Sequence, residues 1–232
     1  MLFKSTVLAQ ASGSVAGATF SRNRGGLYVR SRSIPTNTDS EAQRGIRNAM
    51  TALIGRWRSV LTPAQRNGWS DYAESVPVVN KLGDTVTRSG PNMYMRSNVS
   101  RLQAGLPPVD TRPGFNNFGT IGGLELGLAV ADDQEAVLVW TGTQEWAGET
   151  GSALLVYVSR PVDVSVNWFR GPYRLAATLL GNTGSPITSP QDIPLPFFVS
   201  AGSTIRAYAR VTRADGRLSP AFTFPPVLVA AT

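Results

Sequence analysis

The apolar positions of the chain follow a helical period in one part and a strand period in another. Between residues 40 and 75 they recur every three or four positions, as on the buried face of a helix. Capping-box spacing occurs twice in this stretch, at Ser40 with Gln43 and at Thr62 with Gln65. These signals predict two consecutive helices that form a helical hairpin, the second of which runs to about Ser75.

A third helix is predicted from about Asn92 to Ala104, after the start signal Ser89-Gly90-Pro91. Trp57 and Trp69 fall on the apolar faces of the first two helices. A stacking platform for nucleic-acid bases is one interpretation of such tryptophans, but packing in a core is the better one.

The second half of the chain alternates between apolar and polar residues over short stretches separated by Gly, Pro, Asn and Asp. This pattern is typical of the strands of a β-sandwich. The predicted strands are Gly123–Val130, Ala136–Thr141, Ala153–Ser159, Tyr173–Leu180, Ile193–Val199, Thr204–Thr212 and Ala221–Val229. In the Thr204–Thr212 strand, Ile205, Ala207, Ala209 and Val211 are expected to face the core, and Arg206, Tyr208, Arg210 and Thr212 to face outward.

The predicted fold is therefore α+β and multidomain. An extended basic arm occupies residues 1–37 (called the arm below), the helical hairpin and third helix occupy residues 38–106, and an all-β sandwich occupies residues 119–232. Prolines, glycine and asparagines between residues 107 and 118 predict a linker at that point.

The arm is rich in glycine and arginine, and residues 12–35 contain no acidic residue. Its apolar residues are too sparse to build a core, and ordering glycine is entropically unfavourable, so we expect the arm not to fold alone. Thr19-Phe20-Ser21 and Leu27–Arg30 nevertheless alternate like short strands. We therefore expect the arm to become ordered on another surface through main-chain pairing.

The formal charge of +7 is unevenly placed. Residues 1–118 carry 15 basic and 6 acidic residues, whereas residues 119–232 carry 7 basic and 9 acidic residues, which gives +9 and −2 respectively. A basic half joined to a nearly neutral half predicts an acidic partner, either nucleic acid or an acidic protein surface.

The composition excludes several kinds of chemistry. The chain has no Cys and no His, so a disulfide framework, a cysteine or histidine metal site and the usual catalytic triads are excluded. It also has no phosphate-binding loop and no nucleophile elbow. The acidic group Asp132, Asp133 and Glu135 lacks the spacing of a calcium loop and is interpreted as a solvated turn. We predict no catalytic residue, no cofactor and no metal ion.

The arginines are the candidate binding residues. The chain has 20 Arg and 2 Lys, and arginine is favoured at interfaces because its planar fork matches carboxylates and phosphates. Strand-like alternation in the arm favours addition to a protein edge, whereas nucleic-acid tails have denser basic runs. The predicted protein-interface residues are Phe20, Arg22, Arg24, Tyr28, Arg30 and Arg32.

Two resemblances add to this picture. The second half resembles a fibronectin type III or immunoglobulin-like module, on the basis of Trp140, the alternating Arg206–Thr212 strand with Tyr208, and Ser219-Pro220. The stretch from about Ser12 to Leu106 is similar to uncharacterised structural proteins of tailed bacteriophages, in which a Gly/Arg-rich arm precedes a helical hairpin. The residues that carry this similarity are SGSVAGATFSRNRGGLYVRSRSIP, EAQRGIRNAM, LIGRWRSVLTPAQRNGWSDYA and GPNMYMRSNVSRLQAGL.

The resemblance implies a non-enzymatic structural protein of a bacteriophage virion, located in the virion. A capsid cement or decoration protein is the favoured expectation, with the major capsid or tail proteins and copies of itself as partners. A neck or tail accessory protein is one alternative, and a nucleic-acid-binding protein that uses the basic half is another. No membrane association is expected. A carbohydrate-binding tail protein would instead need an exposed aromatic platform, with Trp146, Trp168 and Tyr173 as candidates, although core and loop packing is the better interpretation of these residues.

Overall fold

A computed structural model describes residues 12–23, 26–34, 39–79, 85–115, 123–130, 134–166, 169 and 171–230. The chain forms two compact units, Met1–Gln43 and Arg44–Thr232. Three helices and mostly antiparallel sheets give an α+β fold in the described part of the chain, as the sequence predicts. The finer predicted division, with boundaries at residues 37, 106 and 118, stays a prediction.

The first unit contains a three-stranded antiparallel meander, made of β1 (Gly13–Val15), β2 (Ala18–Asn23) and β3 (Gly26–Ser31). The predicted strand-like alternation is thus confirmed. Where the sequence predicts an extended arm, the structure pairs the arm with itself, because the turn at Ala16-Gly17 returns the chain onto β1. The prediction that the arm does not fold without a partner surface stays a prediction.

The helices lie close to their predicted positions. They are α1 (Glu41–Ser59), α2 (Pro63–Ser75) and α3 (Gly90–Gln103), and the two-stranded ribbon of β4 (Val78–Val79) and β5 (Thr85–Val86) precedes α3. Both predicted capping boxes are present. Thr62 Oγ1 accepts from the Gln65 N–H at 3.2 Å while Gln65 Oε1 accepts from the Thr62 N–H at 2.8 Å, and Ser40 and Gln43 exchange the same two bonds at 3.4 and 3.3 Å.

The helices pack around Trp69, which is 0% exposed. Its ring makes edge contacts with Tyr72 and Tyr94, at centroid distances of 5.8 and 5.5 Å, and Trp57 packs on Tyr94 at 5.4 Å. Leu53, Leu61, Met93 and Ala73 complete the buried cluster. The interpretation of both tryptophans as packing residues is therefore confirmed.

The remaining strands form two sheets. They are β6 (Leu124–Val130), β7 (Glu135–Trp140), β8 (Ala153–Ser159), β9 (Val162–Asp163), β10 (Tyr173–Leu180), β11 (Gln191–Pro194), β12 (Ser203–Ile205), β13 (Ala207–Thr212), β14 (Phe222–Thr223) and β15 (Val227–Ala230). The strand orders are β10-β8-β13-β14 and β11-β7-β6-β15-β12-β9, with β15 and β6 parallel. One hydrophobic core takes residues from both sheets, among them Leu138, Val156, Ile193 and Ala209.

Two predicted strands are each divided in the structure. The predicted Thr204–Thr212 strand becomes β12 and β13, which belong to different sheets, and Arg206 lies between them. The main chain of Arg206 is held there by Ser159, whose N–H donates to the Arg206 carbonyl at 2.8 Å. The predicted Ala221–Val229 strand becomes β14 and β15, because Pro225-Pro226 supplies no N–H for continuous pairing.

The four-stranded sheet is covered on both faces, which the sequence analysis did not predict. The predicted inward residues of β13 are buried as expected, but Thr212, predicted to face outward, is 0% exposed and Arg206, Tyr208 and Arg210 are half-buried. The cause is a second apolar cluster, in which Ala104 and Leu106 pack on Ala153 and Leu155 of β8. The prediction of an outward face here is therefore wrong for Thr212.

Arg101 on α3 joins the helices to the loops around the sheet. It is 3% exposed, and its guanidinium donates to the carbonyl oxygens of Pro107, Gly151 and Arg213 at 2.9, 3.0 and 2.6 Å. Asn98 and Val109 also exchange two hydrogen bonds, at 2.7 and 3.1 Å. Pro107 and Val109 of the predicted linker are therefore held by α3.

Candidate functional site

The predicted interface residues divide between the two faces of the three-stranded sheet β1-β2-β3, called the arm sheet below. In register, Phe20 pairs with Val29, Ser21 with Tyr28, and Thr19 with Arg30. Since successive residues of a strand point to opposite faces, Phe20 lies on one face and Tyr28 and Arg30 on the other. The sequence analysis proposed one set of anchors, and the structure places Phe20 on one face of the sheet and Tyr28 with Arg30 on the other.

The other predicted anchors are less fully described. Arg32 is exposed directly after β3, and its main-chain N–H donates to the Gly17 carbonyl at 2.8 Å. Arg22 lies in β2, opposite Leu27 in register. Arg24 lies outside the described residues.

The residues of the arm sheet whose exposure the structure describes form no buried interior. None of residues 12–21 and 28–34 is buried, and Val15 is 69% exposed. On the face that carries Tyr28 and Arg30, the hydroxyls of Ser14 and Thr19 are 2.8 Å apart and hydrogen-bonded. A three-stranded sheet gains independent stability by packing one face on a core, so this sheet is suited to packing on another surface.

The outer side of α1 presents an apolar stripe beside cationic residues. Met50 and Ile54, four positions apart, are 39% and 38% exposed, and Arg58, four positions further on, is also exposed. A groove of about 490 Å³ lies beside this stripe, and Ile54, Arg58 and Arg66 line it together with Trp57, Pro91, Asn92 and Met95. The groove combines apolar area with two guanidinium groups, which suits an amphipathic partner segment.

Arg56, one of the candidate binding arginines, forms an ion pair with Asp110 within the chain. Its Nε and Nη2 donate to the two carboxylate oxygens of Asp110, both at 2.6 Å. Tyr94 donates to the same carboxylate at 3.4 Å, and the Trp69 indole donates to the Asp110 carbonyl at 2.7 Å. Each helix thus contributes one residue that donates to Asp110, which lies 54 positions from Arg56.

The electrostatic effects agree with this geometry. The hydrogen bond to Asp110 raises the pKa of Arg56. Burial, followed by the negative charge of Asp110, raises the pKa of Tyr94, so the tyrosine stays neutral and keeps its donor. No sequence signal marked Asp110 as a partner of Arg56, since the pairing depends on how the chain returns to the helices after α3.

The remaining candidates for chemistry are placed as follows. Glu135 is exposed on β7, while Asp132 and Asp133 lie outside the described residues. Within the part of the chain that the structure describes, no group of acidic residues is arranged to hold a metal ion. No helix in that part is long and apolar enough to cross a membrane.

The aromatic platform proposed for a carbohydrate-binding protein is wrong at Trp146. This residue is 1% exposed and packs on Trp140 at a centroid distance of 5.7 Å. Tyr173 is half-buried and makes edge contacts with Phe169 and Tyr208, and Trp168 lies outside the described residues.

Comparisons with known proteins give little further information. No protein-family model matches the sequence, and a search of curated proteins found no match. One similar solved structure is described as "Biofilm associated protein - BSP domain": it is 16% identical, has a TM-score of 0.28, and the match covers 49% of this chain and 15% of that one. Another is the adhesin domain of Epf from Streptococcus pyogenes, at 15% identity and a TM-score of 0.30, covering 47% of this chain and 32% of that one. Both TM-scores are too low for the likeness to support a conclusion about fold or function.

Proposed function

We propose that this chain is a non-enzymatic structural protein of a bacteriophage virion, and specifically a capsid cement or decoration protein that attaches to the particle lattice through its arm. The resemblance of residues 12–106 to tailed-phage structural proteins motivates the proposal. The observation that carries it is the arm sheet, in which none of residues 12–21 and 28–34 is buried. Such a sheet gains most of its stability from the surface that covers it.

The contacts that the arm offers suit a protein lattice. In the order β1-β2-β3, the outer strand β3 can accept a partner strand through its main chain. The exposed Arg30 and Arg32 supply planar donors for carboxylates of the neighbouring subunit. Many copies of the chain would attach with the symmetry of the particle.

We also propose that the β-rich half is an immunoglobulin-like or fibronectin type III-like sandwich that projects from the attachment point or contacts neighbouring subunits. The single core shared by the two sheets supports this. In this proposal the packing of Ala104 and Leu106 on β8 fixes the sandwich to the helices.

Limited proteolysis tests the attachment. We expect a protease to cleave the arm in the free protein and to spare it in intact virions that contain the protein. Equal protection of the arm in both states would contradict the proposal. The copy number per virion separates a cement protein from a neck or tail accessory protein, because only the former scales with the major capsid protein.

A matched pair of variants tests the residues. Phe20→Ala removes a predicted anchor, whereas Phe198→Ala removes an aromatic side chain that is 80% exposed in the β-rich unit. We expect Phe20→Ala to weaken rebinding to virions stripped of the protein by at least about tenfold, which is 1.4 kcal/mol. We expect Phe198→Ala to leave it unchanged, and equal effects of the two substitutions would contradict attachment through the arm.

A further inference from the structure

Three arginines from separate segments lie together where α3 faces β13. Arg96 lies on α3, Arg88 lies two residues before the helix, and Arg210 lies in the middle of β13. Arg210 shares a face of the sheet with Tyr208, and this face is opposite to the one that carries the core residue Ala209. Residues of α3 and β13 are in contact, so these side chains occupy the boundary between helix and sheet.

The three guanidinium groups are neighbours that repel one another. Burial, followed by the positive charges of Arg88 and Arg210, lowers the pKa of Arg96 to about 10. Arg96 therefore remains charged at neutral pH, and the cluster keeps three positive charges. All three side chains are half-buried.

Their donors have few acceptors within the described part of the chain. No ion pair joins a described carboxylate to Arg88, Arg96 or Arg210. Arg96 Nη1 reaches the Leu218 carbonyl only at 3.4 Å. Arg88 Nη1 and Arg210 Nε are buried and have no hydrogen-bond acceptor among the described residues.

Three other arginines of the same unit have acceptors for their donors. Arg213 pairs with Glu145 at 3.0 Å and with Glu149, and Arg217 pairs with Asp215 at 2.7 Å. Arg101 is the most buried of these and satisfies its donors with three carbonyl oxygens. A buried guanidinium N–H without an acceptor is unfavourable, so the contrast indicates that an anion from outside the described residues completes the cluster.

The donor set identifies the chemistry of that anion. Guanidinium forks bind phosphate oxygens through paired hydrogen bonds, and three of them can surround a tetrahedral group. The Tyr208 ring, stacked on Tyr157 at 4.7 Å, borders the same face and carries a further hydroxyl donor. We propose that Arg88, Arg96 and Arg210 form a binding site for one phosphate-type oxyanion between α3 and β13.

The same chemistry is available from free inorganic phosphate and from the phosphodiester backbone of nucleic acid. The test therefore has two arms, one with potassium phosphate and one with a twelve-nucleotide oligothymidylate. Isothermal titration calorimetry and thermal unfolding are measured for the full chain, at constant ionic strength maintained with potassium chloride. Arg210→Gln and Arg96→Gln remove one charge each, and Arg160→Gln removes an exposed arginine as the matched control.

We expect phosphate to bind saturably and to raise the midpoint of thermal unfolding by at least about 3 °C at a hundredfold excess over its dissociation constant. Arg210→Gln and Arg96→Gln should each weaken binding at least about tenfold, and Arg160→Gln should not. Without phosphate, Arg210→Gln should unfold at the same temperature as the original chain or higher, because the substitution relieves repulsion.

The two arms then separate the sources. Binding of phosphate alone assigns the site to a free anion, and tighter binding of the oligonucleotide that is lost in Arg210→Gln assigns it to a nucleic-acid phosphate. Binding that is absent in both arms overturns the proposal, as does binding that survives in both Arg210→Gln and Arg96→Gln. Circular dichroism of each variant before titration ensures that a loss of binding is read only from folded protein.

Discussion

Replacing Asp110 by asparagine should reveal how strongly this residue ties the helices together. Asp110→Asn keeps the shape of the side chain and leaves the main-chain carbonyl, which accepts from Trp69 at 2.7 Å. It removes the negative charge that holds both Arg56 donors at 2.6 Å. The substitution therefore isolates the carboxylate from the rest of the packing.

The expected loss in the free energy of unfolding follows from the geometry of the ion pair and its exposure to solvent. The side chains of Arg56 and Asp110 are 37% and 21% exposed, so solvent screens part of their attraction. Exposed pairs contribute about 0.2–1 kcal/mol, and removing one partner of a fully buried pair costs about 3–5 kcal/mol. For a two-donor pair between these limits we expect Asp110→Asn to lower the free energy of unfolding by about 1.5 kcal/mol, including the weakened bond from Tyr94.

A double-mutant cycle with Arg56→Gln measures the pair itself. Urea unfolding of the original chain, both single variants and the double variant should give a coupling free energy of about 1 kcal/mol. Arg58→Gln, two positions along α1 and exposed, is the matched control and should change stability by less than about 0.5 kcal/mol. A coupling below about 0.3 kcal/mol, or an equal effect of Arg58→Gln, would refute the reasoning.

Three further outcomes follow from buried groups. Gly181→Ala should destabilise the chain by about 3 kcal/mol or more, because a Cβ there overlaps the Trp146 carbonyl oxygen. Gly148→Ala is the control and should be tolerated, since a Cβ at Gly148 makes only an ordinary van der Waals contact. Thermal unfolding of the two variants compares them. Arg101→Lys should lower the free energy of urea unfolding by about 2–3 kcal/mol, since one ammonium cannot reach the three carbonyl oxygens, and a loss under about 1 kcal/mol would contradict this. Burial raises the pKa of Tyr157 from 10.0 to about 12, so the folded state holds this proton more tightly than the unfolded state. The contribution of this tighter proton binding to the free energy of unfolding is complete below pH 10 and is lost between pH 10 and about 12. Tyr157→Phe should therefore make the midpoint of urea unfolding fall less over that interval.

Features set by neighbouring residues were predictable from the sequence. Thr62 and Gln65 carry a complete local cap, because each supplies what the other's main chain needs. The strands of the arm follow from alternation over a few residues. The inward residues of β13 were likewise predictable, since every second position is apolar and all of them are buried.

Features that depend on contacts between residues far apart in the sequence were not predictable in the same way. Alternation along Thr204–Thr212 indicates a strand but not that its first part joins another sheet. One signal was available for the covered face of β8: Ala153, Leu154, Leu155 and Val156 are all apolar, a run typical of a strand covered on both sides. Such a run shows that something covers the strand, and only the structure identifies that cover as the end of α3 and Leu106.

The interface residues of the arm were likewise predictable only in part. A period of two already separates Phe20 from Tyr28 and Arg30 once their strands are paired, but the register that pairs them is fixed by the meander. The phosphate site was out of reach, because Arg88, Arg96 and Arg210 are ordinary arginines in the sequence and gain their meaning from burial without acceptors.

The distribution of paired and unpaired charge connects the two proposals without making them depend on each other. Arg213 and Arg217 are matched by carboxylates of the same half of the chain, and Arg56 is matched by Asp110. The basic excess of the first 118 residues is therefore carried in part by exposed residues such as Arg30, which can meet a broad acidic surface. Arg210 has its Nε buried without an acceptor and would meet a single phosphate-type group at the boundary between helix and sheet. Long-range attraction and the proposed anion site thus draw on different arginines, so loss of either function by substitution should leave the other intact.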